Sequence, residues 1–211
     1  MQSLTFACWC ERTVQRSNGL ADEIRVLGVA GSLRKGSLNR AILRTAQELA
    51  PEGMVIDIFE GIGDFPFYND DLIEESGFPA SVTAFKDRVK SADGVLFVTP
   101  EYNHGIPAVL KNAIDWASRP VGDSSWNGKP MAIMGAANAQ GGTVRAQTQL
   151  RMYAVPLNMY VLPRPEVLIN NARAKFDEQL NFTDEQGRDF MRQQLAAFAQ
   201  WIHRLQAGLV S

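Results

Sequence analysis

The stretch DGVLFVTP (93–100) is the most constraining feature of the chain, because apolar residues fill both of its alternating sets of positions. A strand made from it has to be covered on both faces, which is the situation of a strand inside a parallel sheet. Four further short apolar stretches punctuate the sequence: IRVLGVAG from Ile24, MVIDIF (54–59), PMAIMGAA (130–137) and LNMYVLP (157–163). Between them the period changes. SLNRAILRTAQELA carries Leu38, Ala41, Ile42, Thr45, Ala46 and Leu49 at the i, i+3, i+4 spacing of a helix with one buried stripe. PASVTAFKDRVKSA (79–92) and PAVLKNAIDWAS (107–118) read as helices too, the latter with Pro107 in its first turn, where a missing N–H is tolerated. TVRAQTQLRMYAVP starts a fourth helix. The last segment places Thr183 and Gln186 at capping-box spacing ahead of a stripe of Phe190, Met191, Leu195, Phe198, Ile202 and Leu205.

Strands that alternate with helices call for a parallel sheet with helices on both faces, since each parallel crossover needs a connecting element. Right-handed crossovers leave few topologies. Five strands fit a doubly wound α/β sheet of flavodoxin-like order 2-1-3-4-5, in which the winding reverses between strands one and three. Ligands of such sheets sit at the carboxyl ends of those two strands. The segments leaving them are GSLRKGSLNR (31–40) and PEYNHGIP (100–107).

At 211 residues the chain suits one domain, expected over 24–211, with residues 1–23 an extension outside it that shows no sustained period. The formal net charge of −2 supplies no concentrated basic surface of the kind nucleic acids or anionic membranes require. No apolar run approaches the roughly 20 residues that span a bilayer, and the first residues lack the basic start and apolar centre of a secretory signal. A cytoplasmic location is the expectation. Cys8 and Cys10 have no further cysteine with which to build a thiolate zinc site; they read either as incidental thiols or as a redox or metal-binding tail.

In GSLRKGSLNR, Ser32 and Ser37 bring hydroxyls, Arg34 a guanidinium and Asn39 an amide to a loop that enters a helix. A helix amino terminus offers unpaired N–H groups and partial positive charge, a seat for phosphate. Gly31 and Gly36 allow tight turning. The spacing is neither GxGxxG nor a triphosphate loop, which favours a terminal monophosphate. Simple capping of the helix by Ser37 is the competing reading. In PEYNHGIP, two prolines stiffen a loop whose backbone amides suit the polar edge of a planar ring. Tyr102 suits stacking or edge packing, and Asn103 suits donation to the ring edge. Glu101 is expected to contribute backbone contacts or to orient a neighbour. His104 reads either as an acid/base or as a surface side chain, and His203 as structural. Trp116, Trp126 and Tyr153 read as core or as contact surface.

At these residues the chain resembles the NAD(P)H-dependent FMN reductase family, flavodoxin-like enzymes that include bacterial quinone and chromate reductases. The matching segments are GSLRKGSLNR, FPFYNDDL, GFPASV, ADGVLFVTPEYNHGIPAVLKNAIDW, GKPMAI and GGTVRAQTQLR, in register from about residue 26 to the end of the fourth helix. The resemblance implies that Ser32, Arg34, Ser37, Leu38 (through its backbone) and Asn39 bind the FMN phosphate. It implies that Pro100, Glu101, Tyr102, Asn103 and Gly105 line the flavin ring, with Gly141 and Gly142 in a ring-side loop. An aromatic residue often stands at the position of His104 in the family. The implied activity is a ping-pong transfer of hydride from NADPH or NADH to FMN and on to a small-molecule acceptor: a quinone, free flavin, chromate or an azo compound. A homodimer or homotetramer is implied as well. Two other readings of the scaffold are a flavodoxin-type electron carrier and a flavin-free regulatory protein.

Overall fold

The structure is a computed structural model that describes residues 23–208; the rest of the extension, with Cys8 and Cys10, lies outside the described residues. Six strands and six helices follow in the order β1 (Ile24–Ala30), α1 (Leu38–Glu48), β2 (Met54–Phe59), α2 (Asp70–Ser76), α3 (Ala80–Ser91), β3 (Gly94–Val98), α4 (Ala108–Ala117), β4 (Pro130–Ala136), α5 (Val144–Ala154), β5 (Tyr160–Val161), β6 (Val167–Ile169) and α6 (Glu185–Gly208). All pairings between these strands are parallel, and the order is β2-β1-β3-β4-β5, with β6 also beside β4. This is the doubly wound order expected from the strand count.

The period-2 geometry of the central strands divides the core in two. Ile24 and Val26 of β1, Leu96 and Val98 of β3, and Ala132 and Met134 of β4 face one side, where Ile42, Leu43 and Ala46 of α1 and Met191, Leu195, Phe198 and Ile202 of α6 cover them. Leu27, Val29, Val95, Phe97, Met131 and Ile133 face the other, beneath α3, α4 and α5. All five residues of β3 are buried, as its doubly apolar sequence requires.

The structure departs from the sequence reading at several points. The fifth strand position is filled by two pieces: β5 pairs with the start of β4 (Met131 with Val161) and β6 with its end (Ala136 with Ile169). Pro163 and Pro165 lie between them, and a proline cannot donate to a ladder. Pro107 sits at the N-cap of α4 rather than within its first turn. Thr183 does not close a capping box: α6 starts two residues later, at Glu185, and the Thr183 hydroxyl donates to the Lys175 carbonyl. Phe190 is solvent-exposed instead of joining the α6 stripe, whereas Met191 beside it is fully buried. Trp116 and Trp126 are core residues, 0% exposed, with their indole N–H groups bound to the carbonyls of Pro66 and Ile114. Helix α2, opened by the side chain of Asn69 over the Asp71 N–H, was not anticipated.

Candidate functional site

The chain leaves β1 with the Gly31 N–H on the Val98 carbonyl (2.9 Å), so the first loop starts in contact with the end of β3. Ser37 has extended backbone (φ −78°, ψ 121°) and its Oγ accepts from the Arg40 N–H, which makes it the N-cap of α1. Ser37 thus caps the helix. The cap satisfies only one donor, because the first helical N–H groups, those of Leu38 and Asn39, have no acceptor inside the helix. The Ser37 hydroxyl proton also remains to be donated. Ser32 is 6% exposed, and its hydroxyl, which reaches solvent, has no hydrogen-bond partner among the described residues. Arg34 is exposed and makes no ion pair among them. The Asn39 amide behaves otherwise: its Nδ2 donates to the Ala136 carbonyl and its Oδ1 accepts the Ala136 N–H, both at 2.9 Å. Its oxygen and one of its two N–H donors are thus held by β4.

The loop after β3 is built differently. Tyr102 and Gly105 exchange backbone hydrogen bonds (2.9 and 3.0 Å), and the two residues between them, Asn103 and His104, have φ of 50° and 65°. Paired positive φ values are the signature of a tight two-residue hairpin turn, a conformation Asn tolerates and His enters less readily. The Ile106 N–H donates to Gln149 Oε1 of α5 (2.8 Å). Glu101 accepts the N–H groups of Arg145 and Ala146 (2.9 and 3.2 Å) and lies 3.5 Å from the Arg145 guanidinium. Helix α5 has no side-chain cap from Thr143, so the Glu101 carboxylate caps it from a distance, where the helix dipole favours negative charge. Of the two expectations for Glu101, the structure gives it a neighbour to orient. His104 and His203 are both exposed.

Ser32, Arg34, Ser37, Leu38, Asn39, Pro100, Glu101 and Tyr102 line one open cleft of about 190 Å³. These are eight of the ten residues expected from the sequence. Asn103 and Gly105 stand on the adjoining turn and do not line it. Ala136, Ala137 and Asn138 complete the walls; the sequence reading missed them, although GAAN closes a central strand at the same end of the sheet. Gly135 just before them admits no side chain: a Cβ there would lie 2.1 Å from Thr143 Oγ1 and 2.4 Å from the Thr99 carbonyl. Gly142 (φ 57°) is buried against the backbone of Leu168 and Ile169, and neither it nor Gly141 lines the cleft.

A larger cleft, about 420 Å³, opens elsewhere between Asp87, Lys90, Asp123 and Lys129. Both of its lysines are already engaged. Lys90 pairs with Asp123 at 2.8 Å, and the Lys129 ammonium donates to the carbonyls of Lys90 and Ala92. Burial lowers the pKa of Lys129 to about 8. No group of three or more His, Cys, Asp or Glu side chains among the described residues is arranged to hold a metal ion.

The model of the family described as NADPH-dependent FMN reductase matches residues 24–174. An NAD(P)H-dependent FMN reductase of Pseudomonas aeruginosa is 46% identical over 186 residues, covering 88% of this chain and 99% of its own length. A quinone reductase of Escherichia coli K12 is 39% identical over 187 residues, again 88% of this chain and 99% of its own. Among solved structures, the flavoenzyme NAD(P)H:acceptor oxidoreductase FerB of Paracoccus denitrificans superposes with a TM-score of 0.78 at 38% identity, covering 86% of this chain and 98% of FerB.

Proposed function

The chain belongs to the NADPH-dependent FMN reductase family, and from that premise we propose that it is an FMN-dependent NAD(P)H oxidoreductase that reduces a quinone or a similar small acceptor. The observation that carries the reading is the convergence of the loops after β1 and β3 on one cleft in which Ser32, Arg34 and the N–H groups of Leu38 and Asn39 have no partner among the described residues. The donor set fits FMN: a cleft-lining hydroxyl, a guanidinium without an ion pair among the described residues and two helix N–H groups suit a monophosphate dianion, and a stiff turn beside them suits a planar ring.

FMN, when bound, supplies the hydride chemistry between nicotinamide and acceptor. Ser32, Arg34, Ser37 and the N–H groups of Leu38 and Asn39 would hold its phosphate. Pro100, Tyr102, Asn103 and Gly105 would bound the ring. Glu101 would keep its carboxylate turned into the start of α5, so that its charge is offset there rather than facing the ring. No side-chain proton donor is required of the protein, and His104 is assigned none. Free flavin, chromate and azo compounds extend the acceptor class we propose.

The family reading carries a cytoplasmic location, where the nicotinamide donor is available. No helix among the described residues is long and apolar enough to cross a membrane. Self-association is part of the proposal: Val144 and Met152 of α5 and Val155 at its C-cap are exposed, and Phe67 is 80% exposed. An electron carrier between protein partners is not favoured, because the relatives named above are reductases.

The purified protein, loaded with FMN and given NADPH and a benzoquinone, should oxidise NADPH continuously without any added protein. Turnover that appears only with a partner reductase would overturn the proposal.

A further inference from the structure

The β3–β4 ladder closes with the Val98–Met134 pair and the bond from the Thr99 N–H to the Met134 carbonyl. Two residues farther along β4, Ala136 has β6 on one side, paired through Ile169. On its other side β3 has already turned into its loop, and both backbone groups of Ala136 go to the side chain of Asn39, 97 residues away in sequence. The amide occupies the place of a strand residue: it offers one donor and one acceptor, as a peptide unit would. It is 4% exposed, so water does not compete for these bonds. Asn39 also belongs to the first turn of α1, directly after the Ser37 cap. A shift of this side chain therefore moves the N–H groups of Leu38 and Asn39 relative to the cleft wall formed by Ala136, Ala137 and Asn138.

We propose that Asn39 is a positioning residue: its amide splices the first turn of α1 onto the end of β4 and so presets the phosphate seat before any ligand arrives. The inference rests on the FMN reading of the cleft and deepens it. Asn and Gln carry the same neutral amide donor and acceptor as a peptide unit, and the longer Gln would push the helix away. Asp at this position keeps the acceptor for the Ala136 N–H but loses the donor to its carbonyl. The effect on a ligand should fall on its phosphate, since the ring-side turn is held by Gln149 and by its own reciprocal bonds.

The test compares the wild type with Asn39→Ala and Asn39→Ser, each stripped of flavin. Two quantities are read: dissociation constants for FMN and for riboflavin, which lacks the phosphate, and hydrogen exchange at the Ala136 amide without ligand. The expected result is FMN binding weakened by about tenfold or more with riboflavin binding changed less than about threefold, together with faster exchange at Ala136. Equal losses for both flavins would mark Asn39 as merely structural and overturn the proposal. So would an FMN-specific loss with Ala136 exchange unchanged, which would make Asn39 a direct phosphate ligand. Should Asn39→Ala not fold, the neutral Asn39→Ser, too short to make either bond to Ala136, decides by the same two readouts. A wild type that binds neither flavin would refute the FMN reading itself, a different outcome from a failed splice.

Discussion

Between Gly31 and Asn39 the chain leaves a hydroxyl, a guanidinium and two helix N–H groups without partners among the described residues, whereas between Glu101 and Ile106 the Glu101 carboxylate, the backbone groups of Tyr102 and Gly105 and the Ile106 N–H are matched to one another or to α5. The first loop is an unsatisfied electrostatic seat. The second is a finished shelf. Unsatisfied donors bind charge strongly because the ligand completes them, and a rigid shelf lowers the ordering cost of holding a flat ring. Affinity should therefore be concentrated in the first loop and orientation in the second.

Arg34→Ala tests this contrast with the largest expected effect. Loss of a charge-assisted bond to phosphate should weaken FMN binding by about 1.5–3 kcal/mol, roughly ten- to a hundredfold, with little change in melting temperature. Flavin-fluorescence titration and thermal denaturation measure the two sides, and unchanged FMN affinity would break the contrast.

Lys129 serves as a control that lines neither loop's cleft. Its pKa is about 8 in the folded chain, against an ordinary value of 10.5, through burial. From about pH 8 to 10.5 the unfolded chain retains a proton that the folded chain has released, so stability should rise with pH across that window. Below pH 8 the burial penalty is present in full. Urea denaturation of wild type against Lys129→Met should reveal this pH-dependent difference, on the order of 2 kcal/mol. FMN affinity should not follow it; if it did, the cleft would be coupled to distant electrostatics.

Glu101→Ala probes the shelf. Removing the remote cap of α5 should cost about 1–2 kcal/mol of stability by chemical denaturation, and the loss in riboflavin affinity should match that in FMN affinity. A loss confined to FMN would place Glu101 with the phosphate seat. His104→Gly should have the smallest effect, a gain of less than about 1 kcal/mol, because glycine enters positive φ without a Cβ penalty. A destabilised His104→Gly would show that the imidazole contributes a contact of its own.

Much of the site was legible because its chemistry is local. Ser32, Arg34, Ser37 and Leu38 are neighbours in sequence, and a strand–loop–helix pattern with hydroxyls at the helix entry indicates where they sit. The sheet order followed from strand count and crossover rules. What stayed hidden depends on long-range pairing. Nothing local indicates that the Asn39 amide bonds Ala136, that Glu101 caps a helix 44 residues on, or that the Ile106 N–H finds Gln149. Phe190 failed for a similar reason: a helical stripe gives the buried face only approximately, and Met191 took the core position. The fifth strand was misread because LNMYVLP carries enough apolar residues for one strand, while the two prolines after Leu162 decide where the ladder breaks.

The central claim is that the flavin phosphate is held by the loop after β1 at the start of α1. A crystal structure of the FMN-loaded protein tests it most directly. The phosphate oxygens are predicted within hydrogen-bond reach of Ser32, Ser37, the Arg34 guanidinium and the N–H groups of Leu38 and Asn39. Flavin density with its phosphate anywhere else, including the larger cleft beside Lys129, would contradict the account.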